Sequence, residues 1–176
     1  AAPGDSWPVY QGNPEHTGYV ARTLLPQQGP ARWTKQAVSS TGPSGLAVAD
    51  GLVFTTPLNS VMVAQSLVDG HTVWSHDFGF VATVNQPAID NGYLYLQTSD
   101  SYAATYIHKF QTNGTFLWRA PFLSQWEQYL GPIVIDGTVY FEGGSYGGAY
   151  SFDAHDGFMN WFTGLPQYDH WSPTWN

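Results

Sequence analysis

Two short stretches of this chain gather the side chains best suited to holding a ligand. The segment "SQWEQYLGP" carries Trp126, Glu127, Gln128 and Tyr129, and "QYDHWSP" carries Tyr168, Asp169, His170 and Trp171. Flat aromatic faces beside amides, a carboxylate and an imidazole suit a sugar, a peptide or a small organic ring, because the faces bury apolar area while the polar groups fix orientation. Trp126, Gln128, Tyr129, Asp169, His170 and Trp171 are therefore the candidate ligand-binding residues. A second reading stays open beside this one, in which the same aromatics pack between neighbouring sheets.

Other residues capable of chemistry read as turn chemistry. The six histidines, His16, His71, His76, His108, His155 and His170, lack the helical i, i+4 spacing and the Cys-rich context of a zinc site, so no metal ligand is assigned. Asp153, Asp156 and Gly157 in "DAHDG" resemble a calcium loop, yet the in-phase segments read "LVDG" and "QTNG". Asp and Asn in such turns bond their own backbone and need no ion. Asn113-Gly114-Thr115 fits a glycosylation acceptor but occupies the same turn position. No Gly-x-Ser-x-Gly elbow occurs, "GGSYGG" around Ser145 is a loop signal, and Glu142 just before it reads as a solvated strand-end carboxylate. No catalytic residue is assigned.

The elements that must position these residues announce themselves by period. Trp33, Trp74, Trp118 and Trp161 recur at intervals of 41, 44 and 43 residues. Turn glycines Gly51, Gly92 and Gly137 run in phase within "ADGLVF", "DNGYLY" and "IDGTVY", and a further set, Gly70, Gly114 and Gly157, leads into the later tryptophans. Asp-Gly and Asn-Gly turns join adjacent antiparallel strands because they accept positive φ and match strand twist. Each unit reads as strand, tight turn, strand, looser connection, strand, tight turn and Trp-bearing strand. A period near forty residues built this way is a propeller blade of four antiparallel strands.

Composition agrees. Aromatic residues make up 16% of the chain and charged residues 10%, with 19 Gly and 12 Pro, which favours strands and turns over solvent-facing helices. The 13 acidic and 5 basic side chains leave a net charge of −8 with the cations scattered, so nucleic acid is excluded as a partner for want of a cationic track. No apolar run approaches the length of a membrane span. The chain has no cysteine, hence neither disulfides nor thiolate metal sites. Its start, "AAPGDSWP", has the small residues left by signal-peptide cleavage and points to a secreted or periplasmic protein.

The opening "DSWPVYQGNPEHTGYV" and the units "GPIVIDGTVYFEGGSYGGAYSFDAHDGFMNW" and "QPAIDNGYLYLQTSDSYAATYIHKFQTNGTFLW" resemble the bacterial PQQ-like β-propeller repeat proteins, over nearly the whole chain. The resemblance implies an all-β fold in which the outer-strand tryptophans pack between blades. It spans quinone-dependent dehydrogenases, assembly-factor propellers and binding scaffolds, so it fixes fold more than function. Quinone-dependent members hold their cofactor over a Trp floor with acidic and amide calcium ligands, often beneath a pair of adjacent cysteines, which this chain lacks. No residue is carried over as a cofactor ligand.

The expected architecture is a propeller segment of about three four-stranded blades, at 32–74, 75–118 and 119–161, with the start of a fourth at 162–176 and an N-terminal segment, 1–30, that packs on or closes the ring. Pro87 and Pro132 stand five residues before Gly92 and Gly137, so Pro173 places the next turn glycine two positions past Asn176. A ring of about four to eight blades is needed to bring the ends together, so a further fragment of the same propeller, or a second copy, is the expected partner. Two functions follow: an exported binding or scaffold module that recognises its ligand on the loop face, or part of a quinone-dependent oxidoreductase completed by the other blades. Asp169, His170 and Trp171, where the aromatic and polar groups are densest, are the residues to substitute first.

Overall fold

The computed structural model describes residues 6–19, 31, 33–35, 45–58, 60–81, 83–99, 105–125, 130–166 and 171–176. Within them the chain is all-β, with one short 3-10 turn at Tyr10–Gly12 and no α-helix. The first sheet holds β1 (Leu46–Ala49), β2 (Leu52–Leu58), β3 (Val61–Ser66) and β4 (Thr72–Asp77), paired antiparallel in chain order. The third repeats that order with β10 (Ile133–Ile135), β11 (Thr138–Glu142), β12 (Gly148–Asp153) and β13 (Met159–Gly164).

The second sheet differs only at its innermost strand, which is split into β5 (Thr83–Val84) and β6 (Ala88–Asp90), both paired with β7 (Tyr93–Ser99). Val84 faces Thr98 and Ala88 faces Tyr95, so the inner strand spends four residues where its partner spends three. Pro87 lies in this bulge, where its missing N–H costs no ladder bond. β8 (Tyr106–Gln111) and β9 (Phe116–Pro121) complete the sheet.

The turn chemistry read from the sequence is present. Asp50, Asn91 and Asp136 take φ of 53°, 47° and 48°, each followed by a glycine also at positive φ, which is the backbone of a tight two-residue hairpin. Asp153 accepts the backbone N–H of His155, and Asn113 accepts that of Thr115, so both side chains serve their own turns.

Side-chain alternation sends one face of each sheet toward its neighbour. Phe54, Met62 and Ala64 of the first sheet meet Leu94, Leu96 and Phe110 of the second in one buried cluster. Tyr95 and Ile107 on the other face of the second sheet meet Val139, Phe141, Tyr150 and Phe152 of the third. The core therefore lies in the two gaps between sheets rather than in a single centre.

Indoles bind these gaps at their outer edge. Trp74 Nε1 donates to the Thr112 carbonyl at 3.0 Å, and Trp118 Nε1 to the His155 carbonyl at 3.0 Å, each in the turn before the last strand of the following sheet. Trp33 makes the same bond to the Leu67 carbonyl at 3.1 Å, ahead of the first sheet. Trp161 is 45% exposed and makes no such bond among the described residues. The sheets form an unclosed arc, as the sequence predicts.

Candidate functional site at the loop face

The tight turns all lie at one end of the sheets. At the opposite end, the loop face, the second strands finish, the third strands begin and the chain enters each inner strand. Five residues past each of Gly51, Gly92 and Gly137, at this end of β2, β7 and β11, stand Thr56, Gln97 and Glu142, with exposures of 6%, 0% and 3%. A buried polar residue thus recurs in phase in three strands, and burial obliges each to find a partner.

Two of them reach across to the next unit. Gln97 Nε2 donates to the backbone carbonyl of residue Glu142 at 3.0 Å. The Glu142 carboxylate, through Oε2, accepts the backbone N–H of Trp171 at 3.3 Å. Glu142 is accordingly no solvated edge group, contrary to its sequence reading: the strand alternation that buries Gln97 also points this carboxylate toward the segment that follows the third sheet.

Around this link lies a polar lining. Thr83 faces Ser99 across the β5–β7 pair, and the Asn85 N–H donates to the Gln97 carbonyl at 2.9 Å. Gln97 Oε1 and Ser99 Oγ are fully enclosed and have no hydrogen-bond partner among the described residues. Leaving a buried acceptor unmatched costs about 1–3 kcal/mol, so such atoms are either strain or an invitation to water or ligand.

The inner-strand entries are stacked closely about the same mouth. Gln86 Nε2 donates to the Leu46 carbonyl at 3.3 Å, and Ser172 Oγ to the Gly131 carbonyl at 3.0 Å, so each entry leans on the one before it. A Cβ on Gly131 would approach the Gln86 carbonyl oxygen to 2.9 Å, which leaves glycine as the residue that fits. The N-terminal segment joins them: Trp7 bridges to Val48 of β1, the Pro8 carbonyl accepts Ile89 N–H of β6 at 2.8 Å, and the Pro14 carbonyl accepts Trp175 N–H at 3.0 Å.

Of the six predicted ligand-binding residues, Trp126, Gln128, Tyr129, Asp169 and His170 lie outside the described residues. Trp171 is half-buried and stands directly against Glu142. Sequence reasoning missed Gln97, Ser99 and Glu142, although the in-phase polar position five residues past each turn glycine was the available signal. The inner-strand entries therefore gather a buried carboxylate, amide oxygen and hydroxyl, with the Trp171 backbone against the carboxylate, a set that accepts hydrogen bonds from hydroxyls or amines.

Histidines contribute elsewhere. His71 Nδ1 lies 2.6 Å from Asp69 on an exposed turn, and its hydrogen bonds hold that carboxyl down at about 2. Among the described residues no three His, Asp or Glu side chains converge as a metal site.

Known proteins resemble this arrangement. No curated protein matches in sequence. In structure, a quinohemoprotein alcohol dehydrogenase from Comamonas testosteroni superposes with a TM-score of 0.72 at 20% identity, covering 93% of this chain and 28% of that one. A europium-containing methanol dehydrogenase gives 0.68 at 17% identity, over 90% of this chain and 32% of the other. BamB from Moraxella catarrhalis gives 0.60 at 22% identity, over 78% and 41%. At such identities the likeness concerns fold alone, and this chain spans less than half the length of each of the three. The PQQ_2 family model, described as outer membrane protein assembly factor BamB, matches residues 16–161, and with the in-phase turns and docked tryptophans it establishes that the chain belongs to this family of β-propeller proteins.

Proposed function

We propose that this chain is the N-terminal part of an exported PQQ-like propeller that works as a binding module and recognises its ligand or partner protein at the loop face. The observation that carries this reading is the enclosed polar lining of the mouth, where Gln97 Oε1 and Ser99 Oγ lack hydrogen-bond partners among the described residues and the Glu142 carboxylate accepts the Trp171 backbone N–H. Acceptors of this kind favour a hydroxyl-rich ring or a peptide, which would donate to the oxygens. The family's description as an assembly factor belongs to the same class of function. The blades that complete the ring come from the rest of the propeller, or from a second copy of this chain. Function outside the cytoplasm accords with this family, and no described helix is long and apolar enough to cross a membrane.

The test uses the chain joined to the remainder of its propeller, with ligand-observed NMR against a panel of monosaccharides and tripeptides. A saturable binder that loses at least about tenfold affinity in Glu142→Gln and Trp171→Ala, equivalent to about 1.4 kcal/mol each, supports the reading. Absence of any binder, or binding indifferent to both substitutions, rejects it.

A second reading is part of a quinone-dependent oxidoreductase. It draws on the buried Glu142 carboxylate and the unpartnered Gln97 amide oxygen, hard oxygen donors of the kind that hold calcium. These two fit a fraction of such a site, and Glu142 already accepts a backbone N–H. When bound, a quinone would supply two-electron oxidation, and this chain's part would be to orient it with the acceptors at the mouth. Quinone absorbance retained after dialysis of the completed propeller with calcium, lost in Glu142→Gln, would favour this reading; no retention would exclude it.

A further inference from the structure

A second concavity opens on the loop face, in the gap between the first and second sheets and away from the Glu142 mouth. It is a cleft of about 580 Å³, within the size range of small-molecule sites. Its walls come from the end of β4 and the segment that follows it, the end of β7, the start of β8, and Phe116 and Arg119 of β9. None of its residues was singled out as binding from the sequence.

Three features of the cleft are chemically particular. The first is Arg119, whose guanidinium carbon lies over the Tyr106 ring, 4.5 Å from its centre. The ring contact restrains the side chain, and Arg119 has no carboxylate within ion-pair distance among the described residues. A planar fork held this way matches one carboxylate in two parallel hydrogen bonds.

The second is the aromatic wall. Phe78 packs edge-on against His108 at 5.0 Å, Phe116 lines the far side, and Phe80 stands at the rim fully exposed, at 104%. A phenylalanine held entirely in water at the lip of a half-apolar cleft gains by covering a ligand's apolar body.

The third is the floor. His108 is buried across from Arg119 in the β8–β9 register and bonds Thr98 Oγ1 through Nε2 at 2.8 Å. Burial, with Arg119 and His76 nearby, pushes its imidazole down to about 3, so the floor is neutral at pH 7. His76, also pushed below the ordinary histidine range by burial, makes ring contacts with Phe78 and Phe110 and no hydrogen bond among the described residues. The floor thus repels neither an apolar body nor a single negative charge. Asp77 also lines the cleft, with Oδ1 accepting Gly79 N–H at 2.8 Å, and the chain carries a net charge of −8. Both disfavour a multiply charged anion such as phosphate.

We propose that this cleft is a second binding site, separate from the mouth, that takes a small monocarboxylate with an aromatic body: carboxylate on Arg119, ring between Phe78, Phe116 and Phe80. The site belongs to the gap between two complete sheets and so requires nothing from the blades beyond this chain.

The test is isothermal titration and amide-shift NMR of the chain joined to the remainder of its propeller, with 3-phenylpropanoate against the uncharged 3-phenylpropanol. The Arg119 guanidinium is exposed, so solvent screens the pair and the acid should bind about two- to fivefold more tightly than the alcohol. Arg119→Gln should remove that preference, while Phe80→Ser should weaken both probes several-fold. Both side chains are exposed, so unchanged melting curves will show that the variants fold. Trp171→Ala and Glu142→Gln should leave acid binding intact, which separates this site from the mouth. Failure of the acid to saturate the chain by about 10 mM overturns the proposal. So does equal binding to Arg119→Gln, or loss of binding in the mouth variants instead.

Discussion

The indole of Trp74 and the backbone of Gly114 occupy one another's space: a Cβ on Gly114 would come within 2.9 Å of the indole ring, while Trp74 Nε1 donates to the Thr112 carbonyl two residues earlier. Gly70 stands in the same relation to Trp33 and Gly157 to Trp118, each with a contact of 2.8 Å. The turn glycine is therefore required twice, once by its own φ and once by the tryptophan of the preceding unit.

Gly114→Ala tests that double requirement. Gly114 takes φ +94°, and the added methyl must also displace an indole, so the expected loss is about 2–4 kcal/mol by urea unfolding. Gly92→Ala, at φ +80° with open space around it, should cost only about 1–2 kcal/mol. Equal losses would mean that the indole contact contributes nothing.

Trp74 and Trp161 should respond unequally to the same substitution. Trp74→Phe deprives the partly buried Thr112 carbonyl of its donor and thins the gap, for about 1–2 kcal/mol. Trp161 touches Tyr140 at 6.1 Å and is 45% exposed, so Trp161→Phe should stay within about 0.5 kcal/mol. Thermal melts of the two variants in parallel give the comparison, and a larger shift for Trp161 would contradict the docking argument.

Acid should destabilise the chain through His108. Its folded pKa of about 3 lies below the ordinary 6.5, so between those values the unfolded chain binds the extra proton and stability falls as pH falls. The slope should approach about 1.4 kcal/mol per pH unit over that window, with His76 and His16, also lowered, adding in the same direction near its upper end. Above pH 7 the contribution is complete and constant. His108→Gln should flatten the profile between about pH 6 and 4, read by urea midpoints at each pH; a profile unchanged by the substitution would assign the acid limb to other groups.

Lys109 is a cation inside the second gap, 6% exposed, donating to the Ala154 carbonyl at 2.6 Å and lying 4.1 Å above the Tyr93 ring. Burial lowers its pKa, and those two contacts are what keep a charge tolerable there. Lys109→Met retains most of the stem packing but leaves the carbonyl with the weak Tyr95 hydroxyl at 3.5 Å, so a loss of about 1–2 kcal/mol is expected by chemical denaturation. A stabilised variant would show instead that burying the charge outweighs its contacts.

Much of the fold was legible because its signals are local and periodic. A turn glycine preceded by Asp or Asn specifies a hairpin whatever surrounds it, and the tryptophans keep phase with those turns. The site was less legible. Glu142 viewed alone is a carboxylate at a strand end; viewed with Thr56 and Gln97 it is the third member of a buried row. The cleft at Arg119 was hidden for another reason. His76, Thr98, His108 and Arg119 come from four strands, and the register that sets His108 opposite Arg119 includes a shift between Lys109 and Phe110 that no simple alternation anticipates.

The docked tryptophans all reach forward, Trp33 to Leu67, Trp74 to Thr112 and Trp118 to His155, and never back. The arc consequently has a sense of direction, like a row of hooks and eyes sewn one way. Closing a ring from identical arcs would need the trailing hook of each to meet the leading eye of the next, a head-to-tail relation that a two-fold axis along the channel provides at both seams. Yet the leading eye, at Leu67 and Gly70, is fastened already by the chain's own Trp33. A second copy arriving with Trp161 would first have to unfasten it, whereas a polypeptide bringing a fresh Gly-bearing turn to Trp161 would meet no rival.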